Sequence, residues 1–412
     1  MRRQVAREKN CKMNYPNAQL EDVLAVCDSG EWGSDSLDGH GIPVLRVADI
    51  KAGNRISFAT APLRALTEEK RTSKTVKNGD ILVVKSSGSG TSVVSGRAAQ
   101  VWGIEDGVVG FANFLLRLRA NEEKCISKYL LYVLNSPLVR EQVLAIVGAT
   151  TYPNLSVPAY RRIRFPLPLV AEQRRIVGLL DQAENLRSLR QQADRRTTDL
   201  IPALFNDLFA KGEYPQVSLT SVCASSDDIR CGPFGSQLLR SEFQQRGVPL
   251  WGIRNVNTGF TLQTHEFLTP SKAAELAHYS LMSGDVVMTR KGTVGNCAIY
   301  PKDFQPGIMH SDLLRIRPNF EICDPTFLTE CLHESAHAVR QINDASSGAI
   351  MAGVNVGKLK KMLIPLPPLP LQKQFAAAVT DIRAMQDRQA TAKNRLDDLF
   401  HSLLHRALRG EL

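Results

Sequence analysis

Phe165-Pro166-Leu167-Pro168, followed by Glu172-Gln173-Arg174, opens a stretch that runs to about Lys211 with almost no glycine. Charged residues there interleave with leucine, isoleucine and alanine. The phrase returns 199 positions later as Ile364-Pro365-Leu366-Pro367, followed by Leu371-Gln372-Lys373, and a second glycine-poor stretch runs from Gln372 to about Arg409. Proline lacks the amide hydrogen that a continuing strand needs and restricts the residue before it, so each phrase reads as a stiff turn into a helix. Apolar positions confirm the period. Ile176, Leu179, Ala183, Leu186, Arg190, Ala193, Thr197, Leu200 and Leu204 alternate steps of three and four; so do Phe375, Ala378, Ile382, Met385, Gln389, Ala392, Leu396, Leu399 and Leu403. Such a heptad predicts a coiled-coil helix in each copy. Both seams carry a polar residue at the same step, Arg190 and Gln389, which can fix register. Each helix is expected to span roughly 55–60 Å, with a kink near Pro202 in the first.

The duplication extends outward from these helices. Tyr15-Pro16 recurs as Tyr214-Pro215, Gly79-Asp80-Ile81-Leu82 as Gly284-Asp285-Val286-Val287, and Leu115-Leu116-Arg117-Leu118-Arg119 as Leu313-Leu314-Arg315-Ile316-Arg317. About 150 residues precede each helix. They are rich in Gly, Pro, Ser and Thr, with short β-like runs at Asp80–Val84 and Asp285–Met288 and helical stretches at Ser127–Asn135 and Pro325–Ile342. The expected fold class is therefore α/β (α+β): two similar globules with an internal pseudo-two-fold repeat, separated by an antiparallel two-helix coiled coil. Connectivity requires the antiparallel sense. Only Gly212-Glu213 join the first helix to the second globule, so the second helix must run back for the seams to meet, and the C-terminus returns to the first globule. The segments are a tail over 1–14, a globule over 15–165, a helix over 166–213, a globule over 214–364 and a helix over 365–412.

The chain has 412 residues, 43% hydrophobic and 22% charged, with a net charge of +10. That excess favours a polyanionic partner, since Lys and Arg displace counterions from phosphates. Duplex DNA has the near-two-fold symmetry that a tandem repeat matches. Eight cysteines are scattered without a CxxC pair or matching positions in the two copies, which fits reduced thiols in the cytoplasm. No apolar run approaches a membrane span. The basic N-terminus has no apolar stretch after it, and Met13 is an alternative start.

In combination, the repeated Pro-Leu-Pro entry, Glu172-Gln173, the long helices, and the paired phrases Phe209-Ala210-Lys211-Gly212-Glu213 and Leu408-Arg409-Gly410-Glu411-Leu412 resemble the specificity (S) subunit of Type I restriction–modification systems. So do Gly41-Ile42-Pro43-Val44-Leu45-Arg46 and Gly247-Val248-Pro249-Leu250-Trp251-Gly252. Leu371 departs from the pattern at the entry to the second helix. The resemblance implies that the globules are target recognition domains, each reading one half of a bipartite site in double-stranded DNA, with the helices setting the gap. It implies no catalysis and no cofactor in this chain. It also implies two methyltransferase (M) subunits, restriction/translocase (R) subunits and a cytoplasmic setting. The residues themselves agree on the absence of catalysis: neither an adenine-methyltransferase motif nor a GxxxxGK[ST] loop occurs.

Candidate DNA contacts are Lys85, Ser86, Ser87, Ser89 and Thr91 in one glycine loop and Arg290, Lys291, Thr293 and Asn296 in its counterpart, where backbone and side-chain donors can approach phosphate. Arg64, Lys70, Arg71, Lys74 and Lys77 form a basic stretch that suits either phosphate or solvent. Arg254 and Asn255, in a strand-like run after Trp251, are candidates for base edges. Base readers should differ between copies, so matched pairs such as Asp80/Asp285 and Arg117/Arg315 read as architecture. Two alternatives stand beside this reading. One is a stand-alone bipartite DNA-binding protein. The other is a zinc metallopeptidase, because His333-Glu334-Ser335-Ala336-His337 fits HExxH on a helix. The motif lacks a nearby third ligand, since no further His follows before His401, and no metal is expected.

Overall fold

A computed structural model of the chain describes residues 15–36, 41–51, 53–89, 92–148, 153–210, 212–346 and 353–412. The tail over 1–14, with Cys11 and Met13, and Thr91 lie outside the described residues. The chain divides into two compact units: residues 1–190 with 392–412, and residues 191–391.

In the first unit, an antiparallel sheet has the order Ala98–Gln100, Ile81–Val84, Leu115–Ala120, Leu24–Ser29. Ile81, Val83, Leu116 and Leu118 face one core, shared with helices Ser127–Leu134 and Pro137–Val147. Leu82, Val84 and Leu115 face a second core. Burial on both faces explains why Ile81-Leu82-Val83-Val84 reads as an unbroken apolar run rather than an alternating one. A second sheet has the order Gly110–Phe111, Ile42–Leu45, Leu63–Ala65, Ser34–Asp35, its first pair parallel.

The second unit repeats this plan. Its antiparallel sheet has the order Ile229–Cys231, Leu313–Ile316, Val286–Thr289, Cys297–Ile299; the mixed sheet has the order Phe267–Leu268, Val248–Trp251, Gly307–Met309, Ser280–Leu281. Val248–Trp251 and Gly307–Met309 run parallel, as their counterparts do. The expected helix over Pro325–Ile342 is two helices, Pro325–Glu334 and Ala336–Ser346. They break at Ser335, whose Oγ accepts from the Ala338 amide. Ser136 caps the corresponding break in the first unit, and a hydroxyl offering the backbone a local bond is a common way to restart a helix.

The Pro-Leu-Pro phrases work as sheet closures. Asn17–Gln19 pairs antiparallel with Arg164–Pro166, and Gln216–Ser218 with Leu363–Pro365, in the same register. The turn then holds a fully buried glutamine. Gln173 Nε2 donates to Lys124 O (2.9 Å) and Pro168 O (2.8 Å), while its Oε1 accepts from the Ile126 amide (2.8 Å). Gln372 repeats this with Ile322 O (3.2 Å), Pro367 O (2.8 Å) and the Asp324 amide (2.9 Å). The departure at Leu371 therefore leaves the entry turn unchanged. Glu172 instead accepts from the Tyr15 hydroxyl and from Arg175. In the second unit Leu371 packs on the core, and the Tyr214 hydroxyl turns to Leu208 O.

The long helices run Val170–Thr198 and Leu369–Leu408. The first is shorter than expected, about 43 Å at ~1.5 Å per residue. It stops before Asp199 and resumes as Leu200–Phe205. Pro202 lacks an amide hydrogen and its ring crowds the carbonyl four residues back, so the break falls upstream of the proline itself.

Each unit shows the two helices antiparallel. In the first, Arg175 donates to Leu412 O, and Arg187 Nε to Asp397 Oδ1 at 2.7 Å. In the second, Thr197 Oγ1 lies 2.7 Å from Gln389 Oε1, and Phe205 packs on Phe375.

The heptad seam needs correction near its ends. Leu180, Val379, Phe400 and Leu404 are buried. Leu179, Ala378 and Leu403 are half-buried, and Leu186, Leu200 and Leu399 are exposed. There the helices also pack against the globule cores, so the buried stripe widens and follows 3.6 rather than 3.5 residues per turn. In the second unit the seam between the helices is small and polar, with Ala193, Thr197 and Gln389.

Candidate nucleic-acid interface

Matched charged pairs are scaffold, as their duplication suggests. Asp80 is buried; it accepts both ends of the Arg119 guanidinium and the Lys77 amide. Asp285 does the same with Arg317 and the Met282 amide. The preceding glycines, Gly79 (φ 92°) and Gly284 (φ 85°), take the left-handed conformation that lets each aspartate turn inward. Arg117 is clamped by Asp28, Thr75 O and Ser73 O. Arg315 donates to Ser280 O, but the residue opposite it in the sheet is Arg230, where Arg117 faces Asp28. Burial, with Arg317 beside it, pulls the Arg315 guanidinium below its ordinary value. Cysteines are matched once after all: Cys125 and Cys323 occupy the same turn, their amides bonded to Asn121 O and Asn319 O. All seven described cysteines are free thiols.

Several candidate contacts are committed to the protein itself. Arg64 donates to Trp32 O, Gly33 O and Asp35 and stacks 4.5 Å over the Trp32 ring. Lys74 pairs with Asp28 at 2.8 Å. Lys70 lies 3.4 Å from Glu31, while Arg71 and Lys77 are exposed. In the first glycine loop, Lys85 donates to Ser29 Oγ, Ser86 to Pro153 O, and the Ser87 amide to Ser95 Oγ; Ser89 lies in the hairpin strand Gly88–Ser89. In the second, Arg290 donates to Val354 O and stacks on Phe234, and Lys291 pairs with Asp312 at 2.7 Å. Thr293 and Asn296 converge on Asn257 Oδ1 at 3.1 and 2.8 Å.

Arg254 and Asn255 sit in a short helix, Ile253–Asn257, not a strand. Asn255 is buried: its Oδ1 accepts the Gly252 amide and its Nδ2 donates to Leu262 O. It is the counterpart of buried Asp49, which accepts the Arg46 amide. It is a capping residue, so its amide is unavailable to a base. Arg254 is exposed. It lines a cleft of about 610 Å³ with Arg240, Gln263, His265, His310 and Asp312. Of these, only Arg254 was singled out from the sequence. The signal for His310 and Asp312 lay just upstream of the matched Leu115/Leu313, where the copies diverge.

The HExxH residues do not form a metal site. Ser335 splits them between two helices, and His333 Nε2 accepts the Cys297 amide at 2.9 Å. Burial, with nearby Arg383, lowers the His333 pKa. An unfolded chain takes up this proton near pH 6.5, whereas the folded chain resists it, so stability declines as pH falls below that value. A His333→Gln variant is expected to flatten this part of the pH–stability curve, measured by urea unfolding between pH 7 and 5.

A sequence profile described as Type I restriction modification DNA specificity domain matches residues 14–194 and 236–396. The chain belongs to this family. It is similar to the Type I restriction enzyme EcoKI specificity subunit of Escherichia coli strain K12, with 23% identity across 95% of this chain and 86% of that protein. It is also similar to the putative MjaX specificity subunit of Methanocaldococcus jannaschii, with 20% identity over 96% and 92%. Among solved structures, the fold matches a chain from a type I R-M system studied for complex assembly and conformational transition (TM-score 0.61, 18% identity, 97% and 98% covered). It also matches the S subunit of the Type I system from M. genitalium (TM-score 0.54, 13% identity, 98% of both). Specificity subunits are the non-catalytic, sequence-recognising components of these systems. Among the described residues, no single helix is long and apolar enough to cross a membrane.

Proposed function

We propose that each unit reads one half of a bipartite site in double-stranded DNA, and that the long helices set the gap and dock the methyltransferase and restriction subunits in the cytoplasm. One observation carries this reading: the same hydrogen-bonded scaffold is built twice, with matched buried residues and divergent exposed ones. A binder of one repeated sequence would keep both sets alike. Co-expression with the methyltransferase subunit and genome-wide mapping of N6-methyladenine is expected to yield a split, asymmetric motif. A contiguous motif, or none, would count against the reading. A chain that never co-purifies with a methyltransferase would favour the stand-alone binder.

Exposed Arg71 and Lys77 are assigned to phosphate. Replacing both with alanine is expected to weaken binding to all duplexes alike and to lower the slope of log K against log salt by about 2. Fluorescence anisotropy across a salt series checks this. A change in preferred sequence would mean that they contact bases.

A further inference from the structure

Three backbone bonds recur at the ends of the sheet strands in both units. The Ala112 and His310 amides donate to Leu45 O and Trp251 O; the Lys85 and Arg290 amides donate to Phe114 O and Asp312 O; the Gly30 and Gly232 amides donate to Leu115 O and Leu313 O. These bonds fix the correspondence residue by residue. Ala48, Ala112 and Phe114 of the first unit stand where Arg254, His310 and Asp312 stand in the second. Their flanking positions are conserved in role, with Asp49 and Asn255 capping the same turn. The three exchanged residues of the second unit all line one cleft.

Within that cleft Arg254 and Arg240 are exposed arginines, and Arg254 is the one at an exchanged position. Among the described residues, none accepts a hydrogen bond from its guanidinium, whereas Arg290, Arg315 and Arg317 are all engaged. Asp312 pairs with Lys291 at 2.7 Å, and its amide donates to His310 Nδ1 at 3.3 Å. Cations and acids are mixed there, with Glu266 also in the lining. That balance suits a base edge better than a phosphate, which favours uniform positive charge.

Resting on the recognition reading above, we propose that Arg254 is the specificity-determining residue of the second unit and takes the major-groove edge of a guanine. A guanidinium offers two parallel donors at the spacing of guanine O6 and N7, the pairing that arginine makes best. The first unit has Ala48 at this place, so the two half-sites differ at the corresponding position.

The test uses the full chain co-expressed with its methyltransferase subunit, with methylation mapped for the wild type and for Arg254→Ala and Arg254→Lys. In the alanine variant one G·C position in one half-site should become degenerate, while the other half and the gap persist. Binding of the wild type to a duplex carrying 7-deazaguanine at that position should fall about tenfold to a hundredfold. This arm needs no variant to fold, and Arg254→Lys keeps the charge. If no position relaxes, or if 7-deazaguanine at every guanine of both halves leaves wild-type binding unchanged, the assignment to Arg254 is overturned while the recognition reading stands. A wild-type complex that yields no split motif overturns both.

Discussion

A chain with seven residues added to each long helix, after Arg190 in the first and before Ala392 in the second, is expected to prefer a gap about three base pairs longer. Seven helical residues add ~10.5 Å, and base pairs stack at ~3.4 Å. A heptad returns each helix face to within about 20° of its starting phase, so the small, polar seam of Ala193, Thr197 and Gln389 can re-form. The duplex does not share that period. Three base pairs turn it by about 100°, so methylation at the new gap should be weaker than wild type at the old one. At the original gap it should fall by at least about a hundredfold, because one half-site loses several base contacts at ~1–3 kcal/mol each. Both half-site sequences should be unchanged. Methylation mapping reads all three quantities, and altered half-sites with a constant gap would defeat the division of labour proposed for this chain.

Gln173→Leu is expected to destabilise the first unit by about 3–6 kcal/mol, and Gln372→Leu the second by a similar amount. Leucine nearly matches glutamine in size, so the loss is polar rather than a cavity. In the first unit it strands the Ile126 amide and the carbonyls of Lys124 and Pro168, where Gln173 is fully buried. Each buried, unsatisfied group costs ~1–3 kcal/mol. That is a large fraction of the ~5–15 kcal/mol that holds a domain folded. Hydrogen exchange should show the loss confined to the unit carrying the substitution. Uniform loss across the chain, or a change under about 1 kcal/mol, would mean that the glutamine is not the joint between globule and helix.

How legible the site was depended on what kind of information each residue carries. Asp80/Asp285 and Arg117/Arg315 could be read as architecture because duplication is visible in the sequence; that Arg117 would face Asp28 and Arg315 would face Arg230 could not. Asn255 could not be placed. Its role as a cap depends on the Gly252 amide and on Leu262, residues that only the folded turn brings to it. Gln173 and Gln372 were visible as a repeated motif, but their three-way bonding was not, because two of the three partners of each lie about fifty residues upstream. The sequence argued against the HExxH match only from its missing third ligand, and the break inside the motif was not legible. A helix period across Ser335 is an extrapolation, and a local hydroxyl bond ends it.

By itself the sequence determined the duplication, the two long helices, their antiparallel sense and the absence of catalytic motifs. Periodicity, short connections and repeated phrases are local properties, and they survive without coordinates. Only the tertiary structure decided which faces of the helices are buried near the globules, which arginines are clamped and which are left open to a cleft. Those outcomes depend on groups distant in sequence competing for the same donors and the same buried surface, and that competition is resolved only when the chain has folded.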